Sequence, residues 1–216
     1  MKLGNVLILG DSYSTYEGYI PEGNAFWYGV CEKNTTDVTS VTQTWWHMLL
    51  AGADATLVLN ESYSGSTVCN TERPEIPGTS FVRRLDALIE RGFFSQCRID
   101  TVFVFGGTND AWIHSPIGEN HYRGARGAEL DFVLPAFCYL LERLVAVLPQ
   151  ARIVAVFNCD IKEEILQGFA DAAREFGVEA LQLQGVSKQN GHPDVKGMRE
   201  IKEQLAEFLQ KTKQMP

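Results

Sequence analysis

Nowhere in the 216 residues do about 18 apolar residues run together, which excludes a membrane-spanning helix. The longest greasy segment, Phe132 to Leu141, is interrupted by Pro135. Basic charge is scarce. Lys and Arg number 19 against 27 Asp and Glu, a net charge of −8, so no concentrated basic face for nucleic acid is expected. Cys31, Cys69, Cys97, Cys138 and Cys159 are scattered, odd in number and without a Cys-x-x-Cys pair, which argues against a disulfide framework or a zinc site. His114 and His121 have no Cys or acidic cluster at ligand spacing, so they are read as lining a pocket or facing solvent, and no metal is expected. Gly-x-Gly-x-x-Gly and Gly-x-x-x-x-Gly-Lys-Ser/Thr patterns are missing, which disfavours a nucleotide or flavin and leaves no cofactor expected. The N-terminus has an apolar core of only Val6 to Leu9, followed by Asp11 where a leader's cleavage region needs small neutral residues. A reducing, cytoplasmic location is the expectation, with a chain trimmed of its leader as the alternative.

What is present is an ordinary globular composition, 45% hydrophobic and 21% charged, in a length that fits one domain over residues 1–216. Asn5–Leu9, Thr56–Leu59, Thr101–Phe105, Arg152–Phe157 and Glu179–Leu183 are strand-length apolar runs. Between them Leu85, Leu88 and Ile89, then Phe137, Leu140, Leu141 and Leu144, then Ile201, Leu205 and Phe208 recur at helical spacing. Strands alternating with helices predict an α/β protein, a three-layer α/β/α sandwich around a five-stranded parallel sheet buried on both faces.

Two stretches break the alternation, 13–40 and 112–127, and are read as lid or loop insertions. Both follow the carboxyl end of a strand, the edge where open α/β sheets hold ligands, and long loops there are usually functional or disordered. The first carries Tyr16, Tyr19, Phe26, Trp27 and Tyr28 among Gly and Pro, a substrate platform or an oligomer contact.

Four short motifs sit at these strand ends. Gly10-Asp11-Ser12-Tyr13-Ser14 follows the first strand, where a serine on a tight turn presents its hydroxyl near backbone N–H groups; a simple helix cap uses the same residues. Asn60 to Ser66 follows the second and contains Gly65, whose N–H can approach a ligand closely. Gly106-Gly107-Thr108-Asn109-Asp110 follows the third and frees an asparagine amide, although an Asx turn reads the same way. Gly191-His192-Pro193 precedes the last helix, and the proline holds His192 in extended backbone outside it.

Taken in order, these motifs resemble the blocks of the SGNH hydrolases, the GDSL-like esterase and lipase superfamily, from the first strand to the last helix. Tyr19 to Asn24 and Thr44-Trp45-Trp46 are similar to stretches in uncharacterised bacterial members. The resemblance implies a flavodoxin-like sheet order, Ser12 as nucleophile, His192 as base, and Gly65 N–H and the Asn109 amide as oxyanion donors. It implies a serine esterase for short acyl esters, in one version a carbohydrate O-deacetylase, whose partner is a small-molecule or carbohydrate ester. Tyr13, Tyr16 and Trp112 are the substrate-binding candidates, and a homo-oligomer stays open. One position departs from the pattern: the family's usual aspartate, three residues before the histidine, is Gln189 here. Either a Gln189 side-chain or backbone carbonyl orients His192 in a serine–histidine dyad, or Asp194 swings in, or the enzyme is degenerate and slow. A non-catalytic ligand-binding module on the same fold is the rival reading.

Overall fold

Strands and helices alternate through the computed structural model, which describes residues 1–212. Its main sheet is wholly parallel, with β1 (Lys2–Gly10), β2 (Asp54–Ser62), β3 (Thr101–Phe105), β4 (Arg152–Phe157) and β5 (Glu179–Gln182) in the order β2-β1-β3-β4-β5. That is the flavodoxin-like order. The chain steps from β1 to β2 on one side and then to β3 on the other, so the strand order reverses at β1 and opens a crevice beyond its carboxyl end.

Period-two alternation divides the sheet's side chains between two apolar layers. Leu7 and Leu9 of β1, Val102 and Val104 of β3 and Ala155 and Phe157 of β4 join the buried faces of α2 (Phe81–Glu90), α5 (Val133–Val147) and α6 (Glu163–Glu175). Val6 and Ile8, Phe103 and Phe105, and Val154 and Val156 pack on the opposite side against α1 (Trp45–Ala51) and α7 (Val195–Thr212). Two short helices, α3 (Phe93–Gln96) and α4 (Thr108–Trp112), flank β3. In α5, Pro135 occupies the third helical position, where its missing N–H has no intrahelical partner to lose, so the greasy segment continues as helix through the proline. Among the described residues no helix is long and apolar enough to cross a membrane.

The sequence periods place the strands but not all their limits. β2 runs on to Ser62, so Asn60, Glu61 and Ser62 belong to the strand rather than to a loop after it. Their polarity hides the strand end in the sequence, and it is tolerated because each finds a partner: Asn60 Nδ2 donates to Ser14 O at 2.8 Å, Ser62 Oγ to Asn60 Oδ1 at 2.6 Å, and Glu61 Oε1 accepts from Asn24 Nδ2 at 3.3 Å. The buried stripe of α7 is Met198, Ile201, Leu205 and Leu209, with Phe208 only half-buried beside it. A two-rung antiparallel ribbon, β6 (Lys188–Gln189) with β7 (His192–Pro193), carries the histidine.

Residues 13–40 contain no helix or strand beyond the short 3-10 turn Ser12–Ser14, yet they are tied down along their length. Trp27 N–H donates to Thr15 Oγ1 at 2.9 Å, Tyr28 OH to Pro193 O at 2.8 Å and Asp37 N–H to Gln189 Oε1 at 3.0 Å. Asp37 Oδ1 in turn accepts from Val195 N–H at 2.8 Å, the first residue of α7. The stretch is a strap that crosses the histidine ribbon.

Candidate active site

Gly10 ends β1 where the crevice opens. A Cβ there would lie 2.5 Å from Ser62 Oγ and 2.6 Å from Ser14 Cβ, so only glycine lets the chain turn this closely beside β2. Asp11 N–H donates to Phe105 O at 3.3 Å, and Asp11 Oδ1 accepts from Tyr13 N–H at 3.0 Å, closing the turn that carries Ser12. Ser12 Oγ then lies 3.0 Å from His192 Nε2, across 180 residues of sequence. Both are nearly enclosed, with 3% and 5% of their surfaces exposed.

His192 sits among aromatic rings. Trp27 stacks flat on the imidazole, with centroids 3.6 Å apart and planes 7° from parallel. Tyr13, Trp112 and Tyr28 meet it edge-on at 5.5, 5.8 and 6.4 Å. This burial, partly opposed by the Asn190 carbonyl, pushes the His192 pKa down to about 4, so the ring is neutral and its Nε2 is free to accept the serine proton at neutral pH.

Among the described residues no carboxylate reaches the other ring nitrogen. Nδ1 lies 3.4 Å from Asn190 O, a long contact that assigns the proton to Nδ1. Gln189 Oε1 is turned to the strap, where it accepts from Asp37 N–H. Asp194 caps α7, with Oδ1 accepting from Gly197 N–H at 2.7 Å and Oδ2 from Ser187 Oγ at 2.9 Å. Neither side chain therefore orients the imidazole. The backbone around it is held instead by two buried phenols: Tyr13 OH donates to Gly191 O at 2.7 Å and Tyr28 OH to Pro193 O at 2.8 Å, one on each side of the histidine.

Gly65 and Asn109 lie a few residues past the carboxyl ends of β2 and β3. Gly65 has φ +87°, the left-handed backbone that glycine adopts without strain. Asn109 Nδ2 donates one proton to Ser66 O at 3.0 Å, which leaves its second amide proton for a ligand. Its Oδ1 lies 3.5 Å from Arg73 Nη2. Asp110, in α4, reaches across to the loop after β2. Its buried carboxylate accepts from Val68 N–H at 2.8 and 3.1 Å and from Cys69 N–H at 3.2 Å, bridging the second motif's loop to α4. Buried Arg84 braces the same corner, donating to Gly10 O at 3.0 Å, Ser66 Oγ at 3.1 Å and Thr79 O at 2.8 Å, and to Glu61 O.

Of the substrate-binding candidates, Tyr13 lies beneath the histidine and is 1% exposed, which makes it a support rather than a surface. Trp112 is 41% exposed at the rim. Tyr16 does not reach the pair: its hydroxyl donates to Thr39 O at 3.0 Å and its ring faces Tyr19. His121 Nδ1 is 2.6 Å from Glu129 Oε1 on the surface and His114 Nδ1 is 3.4 Å from Lys162 Nζ. Cys69 is fully buried and its thiol pKa is raised by desolvation. Among the described residues no cluster of His, Cys, Asp or Glu is arranged to hold a metal ion.

Several residues near the pair carry little mark in the sequence. Trp27 lay in the flagged aromatic stretch, but nothing in the sequence tells it from Phe26 or Tyr28. Asn158, directly after β4, shares the strand-end position of the other motifs. Its Nδ2 meets Tyr13 OH and Thr108 Oγ1, both at 3.3 Å, and its Oδ1 accepts from Lys188 Nζ at 3.0 Å. Arg73 and Arg84 gave no signal, since their partners are mostly backbone or distant in sequence.

A parallel sheet between helix layers, with a serine–histidine pair at its switch point, defines an SGNH-type hydrolase fold. The chain belongs to the GDSL-like lipase/acylhydrolase family, whose model matches residues 4–209. Among solved structures it is similar to a candidate GDSL-like lipase from Bacteroides ovatus, with 37% identity and TM-score 0.89 over 98% of this chain and 100% of the other. A candidate GDSL-like lipase from Bacteroides uniformis is 39% identical, with TM-score 0.88 over 97% and 96%. An acetyl xylan esterase from Butyrivibrio proteoclasticus shares the fold at 19% identity and TM-score 0.59, over 98% of this chain and 64% of the other. No curated protein matches the sequence.

Proposed function

We propose that the protein is a serine esterase that hydrolyses short acyl esters through Ser12 and His192 without a carboxylate partner. The observation that carries this reading is the 3.0 Å contact between Ser12 Oγ and His192 Nε2 inside a desolvated site. Ser12 Oγ attacks the ester carbonyl while His192 Nε2 takes its proton, and the same proton then goes to the departing alkoxide. The oxyanion accepts from the Ser12 and Gly65 N–H groups and from the free Asn109 amide proton, each worth about 2.7–4 kcal/mol in the transition state. Water, deprotonated by His192, attacks the acyl carbon, and the imidazolium returns that proton to Ser12 Oγ as the acyl–Oγ bond breaks and the acid leaves. Imidazolium forms twice in this cycle, and the Trp27 ring stacked on its face stabilises it by about 0.5–2 kcal/mol, while its Nδ1 edge faces the Asn190 carbonyl rather than a carboxylate.

Acetyl esters of carbohydrates are the favoured substrates. Half-exposed Trp112 offers an apolar face beside the base on which a sugar ring can rest, and the acetyl xylan esterase above is a distant neighbour in fold. A fluorophosphonate probe tests the nucleophile directly. Mass spectrometry should place the adduct on the peptide holding Ser12, with labelling abolished in His192→Ala; an unlabelled protein, or an adduct elsewhere, refutes the assignment.

A further inference from the structure

Arg73 is the unexplained charge beside the site. Its Nη2 lies 3.5 Å from Asn109 Oδ1, and its Cδ and Nε lie 3.7 and 3.8 Å from where a Cβ on Gly65 would be, so the guanidinium adjoins both proposed oxyanion donors. Its Nε is buried with no hydrogen-bond partner, and the side chain forms no ion pair among the described residues. The loop that carries it is fixed rather than loose. Glu72 accepts from Gly78 N–H at 2.7 Å and Ser80 N–H at 2.6 Å, Ser80 Oγ donates to Asn70 Oδ1 at 2.7 Å, and Thr71 Oγ1 donates to Asp131 O at 2.7 Å. Nε is closed off, so a ligand meets the guanidinium at its terminal nitrogens; holding it without a counter-charge partly out of water costs free energy unless an anion completes it, and in a chain of net charge −8 no surplus of cations explains its being left over. A planar guanidinium fork matches one carboxylate in two parallel hydrogen bonds.

We infer that Arg73 recognises a carboxylate on the substrate, so that the preferred esters are anionic, with the carboxylate near the reacting carbonyl on either the acyl or the alcohol half. The inference rests on the esterase reading above. Arg73 approaches Asn109 from its Oδ1 side, whereas the oxyanion is held by the Nδ2 side, so the guanidinium flanks the reacting oxygen and binds a neighbouring group.

Two matched pairs test it: p-nitrophenyl hemisuccinate against p-nitrophenyl butyrate for the acyl half, and acetylated methyl glucuronoside against acetylated methyl glucoside for the alcohol half. In one pair the wild-type protein should favour the anionic ester by tenfold or more in kcat/KM. That ratio should fall to near one in Arg73→Gln and recover partly in Arg73→Lys. Binding is measured in parallel by calorimetry on Ser12→Ala, which needs no turnover. The anionic member of the same pair should bind at least fivefold tighter, and the preference should vanish in Ser12→Ala/Arg73→Gln. Equal ratios in both pairs, or a preference that survives Arg73→Gln, overturn the inference. Failure of every ester to turn over strikes the esterase reading instead, and the calorimetric ratio still decides the anion site.

Discussion

Removing the indole that lies on His192 should move the pH dependence of catalysis upward. Burial takes the imidazole pKa from 6.5 to about 4, equivalent to about 3 kcal/mol against the charged ring. The Trp27 face also attracts an imidazolium, by about 0.5–2 kcal/mol, but that effect is smaller and opposite in sign, so desolvation wins. Trp27 covers one face of the ring, whereas Tyr13, Tyr28 and Trp112 meet its edges and stay in place in Trp27→Ala. Returning between a third and two-thirds of the displacement puts the variant's pKa at about 5–6. At pH 5 the neutral, competent fraction then drops from ~0.9 to ~0.1–0.5, while at pH 8 both proteins are fully neutral. The ratio of kcat/KM at pH 5 to that at pH 8 should therefore fall about 2–10-fold, whatever the variant loses in absolute rate. Trp27→Phe, which keeps a flat ring, should fall between. The assay is the pH profile of p-nitrophenyl acetate hydrolysis from pH 4 to 8, alongside NMR titration of the His192 ring protons, which reads the pKa without turnover. A wild-type acidic limb near 6.5, or a limb in Trp27→Ala at the same or lower pH, would refute the reasoning.

Asn109→Ala removes one oxyanion donor and should lower kcat by about 10²–10³; a loss under about threefold counts against its role. Gln189→Asp should leave kcat within about threefold, because the Gln189 side chain is engaged by Asp37 on the strap, and a many-fold rise would mean that the natural site lacks a working orienter. Asp11 is wholly buried, with one oxygen lacking a partner, and desolvation pushes its pKa up to about 7. A folded pKa above the unfolded 3.8 means that the folded state binds the extra proton, so Asp11's contribution is fully present below about pH 4 and lost as pH rises through 7. The stability of Asp11→Asn relative to wild type should accordingly improve by about 2–3 kcal/mol between pH 5 and pH 8 in urea titrations, and a difference independent of pH contradicts the shift.

The sheet was legible because parallel strands buried on both faces must read as apolar runs, and Thr101–Phe105 and Arg152–Phe157 begin and end where the sequence places them. The motifs at the strand ends were legible for a related reason: polar residues and glycines such as Asn60, Gly106 and Asn109 follow the apolar runs at the carboxyl ends of the strands, where open α/β sheets hold ligands. What supports the histidine was not legible. Tyr13 and Tyr28 act through hydroxyls on backbone carbonyls at positions 191 and 193, more than 160 residues away, and a backbone acceptor leaves no trace in residue identity. Gln189 and Asp194 were natural candidates by spacing alone, but the ribbon turns one side chain to the strap and the helix start takes the other as a cap. Trp27 reaches His192 only through the path of an irregular strap, which no period encodes.

The nucleophile is tested most directly by p-nitrophenyl acetate hydrolysis with the wild-type protein and Ser12→Ala prepared identically, each checked for folding by thermal melting. Turnover in the wild type that disappears in an equally folded Ser12→Ala is the expected result. Turnover that survives the substitution would contradict it and assign the chemistry to a different group.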